Sequence, residues 1–242
     1  MKNKEIVTML EDNERTESNT FLHLVNRPIF NTDFTVRYSG LPQIREEALS
    51  HHITDVGLLS YVLALKMNTY GEDLNIGLIL EKALLHDLDE VLTGDIPRST
   101  KYYSESGLEA MQGIAEDAMM KLAESIDGGQ DIMTKWKDCK SGKEGQVLKL
   151  ADMLCVTRKV ISELGVLNNG YFLKVAFELF DYLEELNKSF KFSEFSEESG
   201  DFVRSLISDS REVLKELLDR NEFTFERYGI KKNLFSKYDK IR

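Results

Sequence analysis

Apolar residues along this chain recur at helical rather than strand spacing. From Ser50 to about Asn68 ("SHHITDVGLLSYVLALKMN") they sit almost all round, the pattern of a buried helix, with Ser50 as its N-cap. A second apolar helix is predicted from Asp73 to about Leu92, closed by the turn signal Thr93-Gly94-Asp95. Long helices are predicted over 103–126 and 143–166, and amphipathic ones over 169–186 and 199–219. Residues 1–12 and 18–26 read as short helices. Residues 27–48 hold all but one of the prolines and read as an irregular loop. No repeat and no low-complexity linker interrupts the pattern, so the expected fold class is all-α.

Composition narrows the function classes. The 242 residues and 42% hydrophobic content suit one large domain. The expected division is an extension over 1–17, a domain over 18–220 and a tail over 221–242, basic and aromatic with Tyr228, Phe235 and Tyr238. A net charge of −11 repels nucleic acid and anionic membranes, so a nucleic-acid partner is not expected. A small anionic substrate needs local positive charge or a metal. The longest apolar stretch, "VGLLSYVLALKM", is too short to span a bilayer, and the N-terminus lacks a secretory apolar core. Two cysteines, Cys139 and Cys155, cannot make a disulfide framework. A cytoplasmic location is the expectation.

One stretch breaks the helical logic. "LLHDLDEVLTGDIPRSTK" (84–101) runs from an apolar helix straight into His86, Asp87 and Glu90 instead of a cap. His86 and Glu90 are four apart and Asp87 and Glu90 three apart, so one helix end offers an imidazole and two carboxylates. Divalent ions of the Mn, Fe, Co or Zn type accept such donors. An exposed helix end with ordinary charges gives the same string.

Two more residues join by helical phase. His52 is followed on its face by Val56, Leu59 and Leu63, whereas His51 is followed by Asp55, Leu58 and Val62, so His52 points inward and His51 outward. A hydrogen-bonded core histidine explains His52 equally well, and His23 reads as packing. Asp152 lies on an apolar stripe with Leu148, Cys155 and Val156. A lone buried carboxylate is strongly unfavourable, so Asp152 needs Arg158, another hydrogen-bonding partner or a cation.

The order His, His-Asp, Asp over successive helices resembles the HD-domain metal-dependent phosphohydrolases. "ALLHDLDEVLTGDIPRSTKY", preceded by "SHHITDVGLLSYVLAL" and followed by "KLADMLCVTRKVISELGVLNNGYFL", looks like the bacterial YfbR-like 5′-deoxynucleotidases. That resemblance spans roughly 18–190. It implies an HD-domain helical bundle with a divalent metal between helices, usually a homodimer, and hydrolysis of the 5′-phosphate of deoxyribonucleoside monophosphates. It makes His52, His86, Asp87 and Asp152 the metal ligands, Asp87 serving catalysis as well. Glu90 becomes the acid that works with the water or leaving group. Arg37 becomes a phosphate-binding arginine, with Arg27 as competitor, and Tyr38 stands where an aromatic, typically Trp, flanks the nucleotide. Asp95 matches a residue beside the sugar that favours deoxyribose, and Lys101 a basic position after the turn. His51 departs from the pattern, which usually has an acid before the first ligand. The ion could be Co, Mn, Fe, Zn, Mg or Ni.

Such a set suits phosphate monoesters, whose dianion repels an anionic nucleophile until a cation neutralises it. An arginine adds a bidentate clamp that keeps its proton, and a carboxyl in a partly dry site can protonate the leaving oxygen. Two rivals stand beside this reading. A deoxynucleoside triphosphate hydrolase would need further cations, for which Arg98, Lys101 and Arg158 are available. A non-catalytic nucleotide-binding module would be expected to have lost ligands, yet none of the four is missing.

Overall fold

The computed structural model describes residues 27–101 and 104–221. The expected short helices over 1–12 and 18–26, His23 and the basic tail lie outside the described residues. Within them the architecture is helical. A 3-10 segment, Pro28–Phe34, leads into strand β1 (Val36–Arg37), which pairs antiparallel with β2 (Glu47–Ala48), Arg37 opposite Glu47. Then follow α1 (Leu49–Asn68), α2 (Ile76–Leu85), α3 (Glu90–Thr93) and α4 (Arg98–Lys101). Next come α5 (Glu105–Glu124), α6 (Gly129–Asp138) and α7 (Gly142–Val160), which runs on as a π-turn over Ile161–Val166. After a 3-10 turn at Gly170–Phe172, α8 (Leu173–Ser189) and α9 (Glu197–Arg220) close the bundle. Among the described residues no helix is long and apolar enough to cross a membrane.

The hydrophobic period builds the core as expected. α1 packs on both α2 and α7, α7 on α8, and α8 on α9. Val56, Leu63 and Met67 of α1 meet Ile79 and Ala83 of α2 and Val147, Leu148, Leu150 and Ala151 of α7. On α8 the buried stripe is Leu173, Ala176, Leu179, Leu183 and Leu186. Each leucine fully removed from water contributes roughly 1.5–3 kcal/mol. A smaller cluster, Leu88, Met119, Leu122, Ala123 and Met133, joins α5 and α6 to the residues after α2. α6 itself was not anticipated from the sequence.

Two expectations change at helix ends. α1 begins at Leu49, so Ser50 is not its cap; Ala48 holds that position without a side-chain bond. The free N–H of Leu49 is satisfied by the Thr35 carbonyl at 2.8 Å, so the preceding loop does the capping. The helix expected over 73–92 stops at Leu85. Asn75 caps its start by accepting from the Leu78 N–H at 3.0 Å. After His86 the backbone tightens to three-residue bonds, Glu90 N–H to Asp87 O at 3.1 Å and Val91 N–H to Leu88 O at 3.2 Å. Side chains three apart then eclipse. Leu88 and Val91 share the small apolar cluster, while Asp87 and Glu90 share Arg37. Gly94, at φ +73°, ends α3 in a conformation a side chain would strain, and sends the chain to Asp95.

Candidate metal centre

Three segments deliver the four side chains of the site. His52 rides on the first turn of α1, His86 caps α2, Asp87 follows it, and Asp152 sits mid-way along α7. Their ligand atoms all lie within 4.8 Å of one another. His52 Nε2 is 3.5 Å from Asp87 Oδ2 and 3.2 Å from Asp152 Oδ1; His86 Nε2 is 3.2 Å from Asp87 Oδ2. Both Nε2 atoms are buried and make no hydrogen bond. Two orphaned imidazole nitrogens facing two carboxylates at this spacing fit one ion with ligands at about 2.0–2.2 Å. His86 Nδ1 lies 2.8 Å from the Ala83 carbonyl, which holds the proton on Nδ1 and leaves the Nε2 lone pair toward the site.

The four groups are strongly coupled. Burial and Arg37 disfavour the charged form of His52, yet the pull of Asp152 and Asp87 outweighs them and lifts it to about 9. Burial alone would raise Asp87, but His86, His52 and Arg37 hold it well below the usual carboxylate range. Asp152 is lowered too, by His52 against burial. Negative charge is thus held where a cation is needed. His51 is exposed, as helical phase required. Arg158 does not reach Asp152; it pairs with Asp55 on the surface.

Arg37 is buried at the rim of this cluster. Its Nη1 donates to Asp87 Oδ2 at 3.0 Å and to Glu90 Oε2 at 3.2 Å. Glu90 is 3% exposed, and its carboxyl is pushed up to about 8, by burial first and the Asp87 charge second. Lys101 Nζ stands 3.4 Å from Glu90 Oε1. Tyr38 adopts φ +54°, and its N–H donates to Asp95 Oδ2 at 2.5 Å; its ring lies 5.4 Å from Phe172. Asp95 therefore ties the turn after α3 to the Arg37–Tyr38 loop. Arg27, the competitor of Arg37, faces Asp127 at 3.9 Å instead. A cavity of about 430 Å³ opens from Arg37, Asp87, Glu90 and Asp152, past Tyr38, Asp95 and Lys101, to Met153, Val156 and the α8 residues Val175 and Tyr182.

Several contributors escaped the sequence reading. Glu47 Oε1 lies 3.5 Å from Arg37 Nε and 3.7 Å from His52 Nδ1, behind both. It belongs to a two-residue strand, so no helical periodicity marks it. Lys82, 3% exposed, donates to the Asp138 carbonyl at 2.5 Å and to Asp138 Oδ2 at 2.8 Å, fixing α2 against the end of α6. The α8 wall of the cavity was also missed, because its residues are far along the chain from the motif.

The deciding comparison is with a family model. The 5′-deoxynucleotidase YfbR-like model matches residues 3–200. The chain belongs to that family. A 5′-deoxynucleotidase of Citrobacter koseri is 32% identical over 161 residues, 65% of this chain and 78% of the relative. The 5′-deoxynucleotidase YfbR of Escherichia coli O1:K1 is 31% identical over the same shares. Among solved structures, an HD-domain phosphohydrolase from Listeria innocua superposes with a TM-score of 0.63 at 18% identity, covering 84% of this chain and 99% of that one. A conserved hypothetical protein from Pyrococcus furiosus gives 0.56 at 20% identity, over 76% and 96%. The HD-domain helical fold is thereby shown.

Proposed function

We propose that this YfbR-like protein removes the 5′-phosphate of deoxyribonucleoside monophosphates with one divalent ion held by His52, His86, Asp87 and Asp152. The observation that carries the reading is the pair of buried, unpartnered Nε2 atoms set against Asp87 and Asp152 beside a nucleotide-sized cavity. The curated relatives are named 5′-deoxynucleotidases. When bound, the ion supplies charge neutralisation and an acidified water. It is one of Co, Mn, Fe, Zn, Mg or Ni.

The chain's own residues supply the rest. Arg37 turns from Asp87 and Glu90 to clamp phosphoryl oxygens. As the P–O5′ bond breaks, the leaving oxygen takes the proton that Glu90 holds at neutral pH. Lys101 keeps positive charge beside Glu90 and the phosphate. Tyr38 flanks the nucleoside, and the free Asp95 oxygen meets the sugar. Asp87 serves both the ion and Arg37. The extension over 1–17, the domain over 18–220, the tail over 221–242, a cytoplasmic location and a homodimer complete the proposal.

The triphosphate alternative loses one cation it needs, since Arg158 is on the surface with Asp55. The test is to strip the protein of metal, restore single ions, and measure phosphate release from deoxy- and ribonucleoside mono-, di- and triphosphates. Release confined to deoxynucleoside monophosphates is expected. Turnover of triphosphates alone, or none with any ion, overturns the reading.

A further inference from the structure

The outer face of the α1–α2 hairpin is apolar. On α1, Leu58, Tyr61, Val62 and Leu65 are 61%, 39%, 57% and 44% exposed, directly opposite the buried Val56, Leu63 and Met67. On α2, Leu80 and Leu84 are 36% and 61% exposed. The two helices touch closely, a side chain on Gly57 reaching 3.9 Å from Ala83 Cβ, so the two exposed rows lie on neighbouring helices. Scattered single hydrophobics are ordinary on a protein surface, but a contiguous helical stripe marks a contact.

The spacing of the stripe is symmetric. A two-fold axis at the level between Tyr61 and Val62 sets Leu58 of one copy opposite Leu65 of the other, and sets Tyr61 and Val62 each beside its own copy. Two α1 helices laid antiparallel therefore match apolar position to apolar position, the self-complementarity an isologous interface requires. Charge follows the same axis. Asp55 and Lys66 lie on the same flank of the stripe, at 100° per residue, and at opposite ends. Antiparallel pairing brings Asp55 of one copy to within about 3 Å, along the helix axis, of Lys66 of the other. Asp55 already holds Arg158, so the flank becomes an alternating chain of three charges.

We propose that this face is the contact between two copies of the chain, related by a two-fold axis between Tyr61 and Val62 of α1. The inference rests on the homodimer named above and adds where it forms. The metal centre lies on the inner side of α1, so neither copy covers the other's His52.

The test uses the full chain in sedimentation equilibrium at micromolar concentration. The wild type is expected to be a dimer. Val62→Glu sets two carboxylates beside each other at the axis and should weaken association by on the order of 100-fold. Circular dichroism should show unchanged helix content, since Val62 is 57% exposed. Val62→Cys should cross-link to itself without reductant, because the proposed two-fold sets the two copies of this position beside each other. The native Cys139 and Cys155 are buried and do not compete. A dimer that Val62→Glu leaves intact, or Val62→Cys chains that stay uncross-linked, overturns the surface while the homodimer stands. A monomeric wild type overturns both.

Discussion

Two buried ionic clusters sit on the same helix and behave in opposite ways. One gathers at Asp152, mid-way along α7; the other gathers at Glu163, in the π-turn that continues it. Glu163 is fully buried, and both its oxygens are saturated. Oε1 accepts from Arg45 N–H at 3.0 Å and Lys159 Nζ at 2.8 Å; Oε2 accepts from Ile44 N–H at 3.1 Å and Asn169 Nδ2 at 2.8 Å. Burial alone would raise its pKa, but these bonds hold it down to about 2. The Asp152 cluster has the reverse character. Two imidazole nitrogens lack hydrogen bonds, and beside them Glu90 is pushed up rather than down. A saturated network is complete as protein and locks the 42–45 loop to the bundle. An unsaturated one is completed by a ligand.

The largest expected effect breaks the unsaturated cluster. Asp87→Ala removes the carboxylate that faces both histidines. Phosphate release should fall on the order of 10³-fold or more, and equilibrium dialysis should show metal binding lost. A variant that still binds one ion per chain sinks the ligand assignment. Next comes Glu90→Gln, which keeps shape and removes the proton. Its kcat should fall ~10²–10⁴-fold with metal content unchanged. Loss of the ion instead would make Glu90 a ligand.

The saturated cluster should respond in stability rather than chemistry. Glu163→Gln should cost about 3 kcal/mol at pH 7, read by urea unfolding, while leaving metal affinity of the folded protein intact. The folded pKa lies below the unfolded value of about 4.3. The stabilisation is therefore complete above that value and disappears as pH falls through about 2. The gap between wild type and variant should close over that window. A gap independent of pH would mean that the charge of Glu163 does not stabilise the fold.

The smallest effects sharpen the boundary between the clusters. Glu47→Ala removes a carboxylate behind both His52 and Arg37, and ion affinity should weaken about 10–100-fold. His51→Ala, on the exposed face, should change affinity less than twofold by the same titration. Equal losses in the two variants would put the wrong histidine in the site.

Much of the bundle was legible because periodicity reports burial directly. α1, α5, α7, α8 and α9 follow from apolar spacing, and the same phase separates His52 from His51. The segment after His86 was misread as continuous helix, because the tightening to three-residue turns satisfies contacts on two sides at once and leaves no local signature. The division of Asp152 from Arg158 was equally illegible. Either a cation or the arginine could compensate the carboxylate, and only the position of Asp55 decides.

The sequence by itself determined that this is an all-α chain whose His52 and Asp152 lie on inward-facing helical positions, with His86 and Asp87 where the second apolar helix gives out. Phase along a helix is a local property, and burial of apolar stripes leaves little choice of face. Only the tertiary structure decided which polar groups are left unpaired and which are answered. Glu47 reaches His52 through a two-residue strand register, Asp95 reaches the Tyr38 N–H across the cavity mouth, and Glu163 collects donors from a loop far earlier in the chain. Each of these depends on where separate segments come to rest against one another, and that is fixed by packing of the whole core rather than by the spacing of any one segment.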